Sequence, residues 1–250
     1  MLARLRPVAL LFALAGAGWW WTLREMGGMD AGPWSGLGTF GWFVGFWVVM
    51  MAAMMFPSVA PTVALYARLM RTRSPFAPLA FAGGYLLTWA GAGVGAFLLA
   101  RVIGRLDGGL LAWDRGGRWV AAATLVAAAG YQLTPFKDAC LGRCRSPLGL
   151  LLGSWRPGLL GALRMGTVSG GWCLGCCWAL MASLFALGIM SVTWMALVAV
   201  LVALEKTLPW RRVAWGTAVL LFALGVLLVA APAHVPGLTV PTGGTPMGGG

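Results

Sequence analysis

Long apolar runs separated by short basic segments dominate the sequence, and this alternation restricts the possible fold more than any other feature. Hydrophobic residues make up 60% of the chain and charged residues only 10%, whereas a soluble domain carries about 25% charged residues. Because so few polar side chains could not cover a water-exposed surface, we expect the lipid bilayer to surround most of the chain. The sequence therefore predicts an all-α, polytopic membrane helix bundle. Its seven expected transmembrane helices are residues 8–23, 39–69, 77–100, 119–134, 163–187 (or 171–187), 194–208 and 213–231.

The positive charges indicate how these helices are oriented. A net charge of +12 would suggest a nucleic-acid partner in a soluble protein. Here the charges lie between apolar runs, so we expect them to face anionic lipid on the cytoplasmic side and predict no nucleic-acid partner. With the N-terminus inside, thirteen of the eighteen Lys and Arg residues fall on inner segments. The charge bias thus predicts a cytoplasmic N-terminus.

Two regions follow from the distribution of apolar residues. Residues 1–231 are predicted to form a single transmembrane helical domain, and the Gly- and Pro-rich tail 232–250 is predicted to be disordered. The tail contains His234, the single histidine of the chain, which excludes a haem with two histidine ligands and a three-histidine metal site. The sequence also has no P-loop and no Gly-x-Ser-x-Gly motif, and so favours a binding protein over an enzyme.

The cysteines are the strongest functional signal. Cys173, Cys176 and Cys177 lie within five residues at the start of a predicted helix, where their spacing places all three on one face, within an arc of about 100°. Cys140 and Cys144, in the connection upstream, would share a face if that segment is helical. Small cysteines can simply fill helix contacts, but all five lie in a 38-residue window. Three or four sulfurs suit Cu(I), zinc or an iron–sulfur cluster, and the sequence predicts a soft-metal site.

A methionine group on the second predicted helix forms a second candidate feature. Its four members are Met50, Met51, Met54 and Met55. Thioethers are soft ligands suited to Cu(I), although methionine also commonly fills helix contacts. Because the thiols are in the same chain, we interpret these methionines as candidate sites for Cu(I) on its way to the cysteines. Met26 and Met29, beside Asp30, are a candidate outer collecting site.

Two acidic residues lie where apolar runs meet the expected cytoplasmic interface. Asp138 and Glu205 are candidate metal-site residues, because ionisable groups at membrane depth are costly and are commonly functional. The alternative is local pairing, of Glu205 with Lys206 and of Asp138 with Lys137 or Arg145.

Three segments together resemble a known family. They are residues 47–58, residues 131–147 with both upstream cysteines, and residues 173–181 followed by 204–206. These segments resemble the bacterial family of predicted metal-binding integral membrane proteins, long catalogued as a domain of unknown function. The similarity covers about residues 40–210 and implies a multi-pass protein of the bacterial inner membrane with a metal site. It implies no particular reaction.

The resulting hypothesis is an integral membrane protein that binds a soft metal, with Cu(I) favoured over zinc or an iron–sulfur cluster. It would act in metal transport, delivery or homeostasis and exchange the metal with a donor protein, an acceptor protein or a membrane complex. One alternative is a thiol–disulfide oxidoreductase that uses the Cys140/Cys144 and Cys173/Cys176 pairs, although the predicted orientation places these thiols towards the reducing cytoplasm. Another is a metal-containing subunit of a membrane enzyme complex.

Overall fold

The chain folds into helices throughout the part that the computed structural model describes, which is residues 6–26, 38–70, 76–106, 116–153, 155–187, 191–209 and 211–231. These residues form nine helices and no strands, which confirms the all-α prediction. The helices are α1 (Arg6–Met26), α2 (Phe40–Met70), α3 (Ala77–Leu106), α4 (Arg118–Gln132), α5 (Pro135–Arg145), α6 (Pro147–Gly153), α7 (Gly158–Leu187), α8 (Val192–Thr207) and α9 (Arg211–Ala230). The predicted tail 232–250 and the candidate site residues Met29 and Asp30 lie outside the described residues.

Four of the described helices, α2, α3, α7 and α9, are long and apolar enough to cross a membrane, judged by length and composition. The other three predicted spans correspond to α1, α4 and α8. Of these, α4 has 15 residues and α8 has 16, whereas a span of the hydrocarbon core takes about 20. The seven-span topology and its orientation stay predictions.

Helix α2 continues through Pro57 and Pro61 as one helix of 31 residues. A proline ring removes one backbone N–H donor and crowds the preceding turn, but a long helix tolerates this where other groups satisfy the backbone. Next to the first proline, the Ser58 hydroxyl donates a hydrogen bond to the Met55 carbonyl at 2.7 Å. This local bond leaves the Ser58 oxygen free to accept another.

The connection between α4 and α7 folds into the two short helices α5 and α6. Thr134 is the N-cap of α5, because its Oγ1 accepts a hydrogen bond from the Lys137 backbone N–H at 3.3 Å, and Pro135 occupies the first turn. Thr134-Pro135 is therefore a helix-start signal in the sequence. The helical geometry places Cys140 and Cys144 one turn apart.

The start of α7 differs from the prediction. The helix begins at Gly158, whose φ of 81° suits glycine because it has no side chain to clash. Cys173 therefore lies near the middle of a 30-residue helix, and the prediction that the cysteines lie at a helix start is wrong. A helix N-terminus stabilises negative charge only within its first turn, so it does not activate these thiols.

Helix α7 packs against α3, α4, α5 and α8 and occupies the centre of the bundle. The backbones of α7 and α3 are in direct contact at two glycines. A Cβ at Gly84 would overlap the Leu163 carbonyl, and one at Gly166 would overlap the Phe81 carbonyl. Small residues permit such close helix contacts. The contact brings Tyr85 of α3 to the cysteines of α7.

Candidate metal centre

The three cysteines of α7 form one compact, buried cluster. The sulfur atoms of Cys173, Cys176 and Cys177 all lie within 4.8 Å of one another, and each residue is 1–2% exposed. Three sulfurs around one ion at about 2.3 Å lie about 4.0 Å apart. A soft ion could therefore bind all three sulfurs after shifts of less than about 1 Å.

Helix α5 adds a fourth sulfur beside the cluster. The Cys144 sulfur lies 3.7 Å from that of Cys176, and Cys144 is half-buried, unlike the three thiols of α7. The four sulfurs thus form a buried trio with one more accessible neighbour.

Cys140, one turn earlier on α5, packs against the backbone of α7. A Cβ at Gly175 would lie 2.9 Å from the Cys140 sulfur, so this thiol fills the space that the glycine leaves. Burial raises the pKa of the Cys140 thiol. No contact in the described part of the chain joins its sulfur to another cysteine. Cys140 therefore stays a predicted ligand that the fold does not bring into the cluster.

A lysine and a tyrosine contact the cluster from other helices. Lys206 of α8 places its Nζ 3.1 Å from the Cys173 sulfur and donates to the Ser58 hydroxyl oxygen at 2.9 Å. The Tyr85 hydroxyl lies 2.9 Å from the same Cys173 sulfur. A monovalent soft ion held by two or three thiolates would carry a net negative charge, and the Lys206 ammonium would compensate it.

Sequence reasoning missed these partners of Cys173. From the sequence, Lys206 is only an alternative partner of Glu205, and Tyr85 is one residue of the predicted helix 77–100. A cation at the end of an apolar run was a usable signal for Lys206. No signal pointed to Tyr85, because the contact depends on how α3 crosses α7.

Glu205 forms a buried ion pair with a residue distant in sequence. Lys137 Nζ and Glu205 Oε2 are 2.6 Å apart, and the two side chains are 1% and 2% exposed. The alternative of local pairing between Glu205 and Lys206 is therefore wrong. Asp138 is exposed, and no ion pair of Asp138 is found within the described ranges.

Arg145, next to Cys144, also binds the end of α8. Its Nε donates to the Glu205 carbonyl at 2.8 Å, and its Nη2 donates to the same carbonyl and to that of Leu208, the latter at 2.8 Å. Together with the ion pair between Lys137 and Glu205, these bonds join α5 to α8. A role for Glu205 as a metal-site residue stays a prediction.

Helix α4 is joined to the cysteine segment by a tyrosine. The Tyr131 hydroxyl donates to the Gly175 carbonyl at 2.5 Å, and the ring of Tyr131 packs edge-on against Trp178. This contact restrains α7 on the side where Cys140 packs.

The predicted methionine group is buried in α2. Met50, Met51, Met54 and Met55 are all 0–4% exposed and belong to the hydrophobic core. Met54 alone of the four lines the cavity that also contains Cys144 and Lys206. Met54 is therefore the one thioether of this group that shares a cavity with Cys144, the accessible neighbour of the trio. A role for Met50 and Met51 as ligands stays a prediction.

Comparison with known proteins agrees with a metal-binding centre of this kind. A sequence model of the family PpoB2, described as a copper chaperone, matches residues 44–228, about three quarters of the chain. The matched region includes all five cysteines together with Tyr85 and Lys206. No curated protein and no solved structure matches the chain. The chain belongs to the PpoB2 copper chaperone family.

Proposed function

We propose that this protein is a membrane-embedded Cu(I) chaperone that carries its cargo on Cys173, Cys176 and Cys177. The observation that carries the proposal is the buried trio of thiols within 4.8 Å, in a chain of a copper chaperone family. Lys206 compensates the charge of the loaded cluster, and Cys144 stands beside it as the exchange ligand.

The donor set favours Cu(I) over other metals. Thiolates select soft ions, and the described cluster contains no carboxylate or imidazole ligand. Structural zinc sites use four tetrahedral ligands, whereas Cu(I) is stable with fewer sulfur ligands and so passes readily from one thiolate to the next. A buried trio with one accessible fourth thiol suits a cargo that must enter and leave.

The proposal includes a membrane topology. Helices α2, α3, α7 and α9 have the length and composition of membrane spans, and α1, α4 and α8 supply three further spans that are shorter or less apolar. With the N-terminus in the cytoplasm, thirteen of the eighteen Lys and Arg residues lie on inner segments, in keeping with the preference of basic residues for the cytoplasmic side. The protein then lies in the bacterial inner membrane and exchanges copper with a donor or an acceptor there. Reporter fusions after each helix test this topology, and an N-terminus found outside would reverse the orientation.

Metal content tests the function directly. The detergent-purified protein is loaded anaerobically with Cu(I), desalted and measured for copper and zinc per chain, beside a variant with Cys173, Cys176 and Cys177 all changed to Ser. We expect the variant to lose the bound copper and the Cys140→Ser control to retain it, since the Cys140 sulfur contacts the backbone of α7 rather than the trio. X-ray absorption at the copper edge counts the bound sulfurs. Equal copper content in the wild type and the triple variant contradicts the proposal.

The oxidoreductase alternative stays a prediction. All five cysteines are free thiols, and the thiol of α5 that approaches the trio is Cys144, at 3.7 Å from Cys176.

A further inference from the structure

A cavity beside the thiol cluster has the size and the lining of a binding site. It has a volume of about 710 Å³ and lies between α1, α2, α5 and α8. Small-molecule sites typically occupy about 300–1,000 Å³. The sulfur-bearing and polar side chains that line it include Met54, Ser58, Cys144, Arg145 and Lys206.

The cavity reaches the buried trio through Cys144 and Lys206. Cys144 is half-buried, and its sulfur lies 3.7 Å from that of Cys176. Lys206 Nζ is 3.1 Å from the Cys173 sulfur. The trio itself is 1–2% exposed and does not line the cavity. A ligand in the cavity therefore meets the thiol of Cys144 before any thiol of α7.

The positive charge of the cavity wall favours a ligand of negative charge. Arg145 and Lys206 are cations, and no carboxylate lines the cavity. The ion pair found in the described residues joins Lys137 to Glu205 and leaves both cations of the wall without a carboxylate partner. A wall of this charge attracts anions and repels cations.

Resting on the function proposed above, we propose that this cavity binds an anionic Cu(I) complex of a low-molecular-weight thiol and that Cys144 makes the first ligand exchange. The Cys144 sulfur bonds to the Cu(I) ion, one donor thiolate leaves, and the proton of Cys144 moves to that thiolate. Cys176 then bonds to the same ion, the second donor thiolate leaves, and it takes the proton of Cys176. Cys177, whose sulfur lies 3.3 Å from that of Cys176, next replaces Cys144 on the ion, and its proton returns to the Cys144 sulfur. Copper stays Cu(I) throughout, so no oxidant or reductant is needed. A folded donor protein does not fit a cavity of this volume.

Two variants and one matched control test the cavity. Ala203 lines the cavity and Leu204 does not, yet both are exposed on α8. Ala203→Trp fills the cavity, Leu204→Trp places the same side chain outside it, and Cys144→Ser removes the exchanging thiol without filling space. Anaerobic stopped-flow measurements follow loading from Cu(I)–glutathione, which is anionic, and from Cu(I)–cysteamine, which is cationic. Loading from the Cu(I)–acetonitrile complex reports the capacity of the trio, because this donor is small and carries no thiol.

We expect Ala203→Trp and Cys144→Ser each to slow loading from Cu(I)–glutathione at least tenfold, while Leu204→Trp loads like the wild type. All three should reach wild-type copper content from Cu(I)–acetonitrile. The wild type should load faster from glutathione than from cysteamine, and added salt should reduce this difference because it screens the cations.

Wild-type loading rates in Cys144→Ser and Ala203→Trp overturn the proposed exchange site and leave the proposed function intact. Equal rates from the two thiols at low salt overturn the anion selectivity. If Ala203→Trp also fails to load from Cu(I)–acetonitrile, the filled variant is misfolded and Cys144→Ser decides. A wild type that takes up no Cu(I) from any donor overturns the proposed function itself.

Discussion

Replacing Lys206 by Gln removes the positive charge beside the thiol cluster and leaves a side chain that can still donate hydrogen bonds. In the wild type, Lys206 Nζ lies 3.1 Å from the Cys173 sulfur and 2.9 Å from Ser58 Oγ. We expect the variant to bind Cu(I) more weakly, because the loaded thiolate cluster is anionic and loses its neighbouring cation.

Coulomb's law gives the size of the effect. Two unit charges 3.1 Å apart attract by about 5 kcal/mol at an effective dielectric constant of 20 and by about 1 kcal/mol in bulk water. Lys206 is half-buried, and the charge of the cluster is spread over several sulfurs, so the contribution falls between these limits. A loss of about 1.4–2.8 kcal/mol corresponds to a Cu(I) dissociation constant raised about 10- to 100-fold.

Competition with a chromophoric Cu(I) chelator measures this dissociation constant, and Lys206→Arg is the control that keeps the charge. The thermal midpoint of the copper-free protein separates an electrostatic role from a structural one. Lys206 is half-buried, and Gln can still donate a hydrogen bond to Ser58, so the thermal midpoint of the copper-free Lys206→Gln variant should change little. An unchanged dissociation constant, or equal losses of stability and affinity, would refute the argument.

Three further predictions follow from contacts around the cluster. Lys137→Met should lower the free energy of unfolding by about 3–5 kcal/mol because it leaves a buried charge unpaired, while the double variant with Glu205→Leu should be near wild type. Chemical denaturation of the wild type, the two single variants and the double variant measures these free energies. Additive losses of stability in the double variant would contradict the prediction. Gly166→Ala should destabilise the bundle by about 1–3 kcal/mol, because the added methyl group overpacks the contact with α3. The resulting shift of α7 should also lower the affinity for copper. An unchanged thermal midpoint would show that the two helices do not pack this closely. Burial raises the pKa of the Cys140 thiol above the value for a free cysteine, which is about 8.5. Iodoacetamide should therefore label Cys144 before Cys140 at pH 8, as counted by mass spectrometry. The reverse order of labelling would contradict the burial of Cys140.

The helical part of the structure was largely predictable because hydrophobic runs and helix signals are local. All seven predicted helices have a counterpart among α1–α4 and α7–α9. Two helices differ from the prediction. Helix α5 was predicted only conditionally, although Thr134-Pro135 marks its start. Helix α7 begins at Gly158, before either predicted start at 163 or 171, and it accommodates the exposed Arg164 within its first turns.

Some contacts of the candidate site lie within one helix and could be predicted from the sequence, whereas others join distant parts of the chain and could not. The helical repeat alone brings Cys173, Cys176 and Cys177 together, because residues three and four apart share a face. No local rule could identify Glu205 as the partner of Lys137, 68 residues away. That pairing follows from the desolvation of both charges where α5 meets α8, whereas the sequence offered only the adjacent Lys206 as an alternative partner.

The sequence by itself therefore determined a helical, strongly apolar chain with three thiols on one helix face, because these properties depend on composition and on the period of a single helix. Only the tertiary structure decided what surrounds those thiols. It brought Tyr85 from α3, Cys144 from α5 and Lys206 from α8 to the cluster, and it left Cys140 packed against the backbone of α7. The physical reason is that the distance and rotation between helices depend on which side chains let them approach, and on which buried charges must find partners.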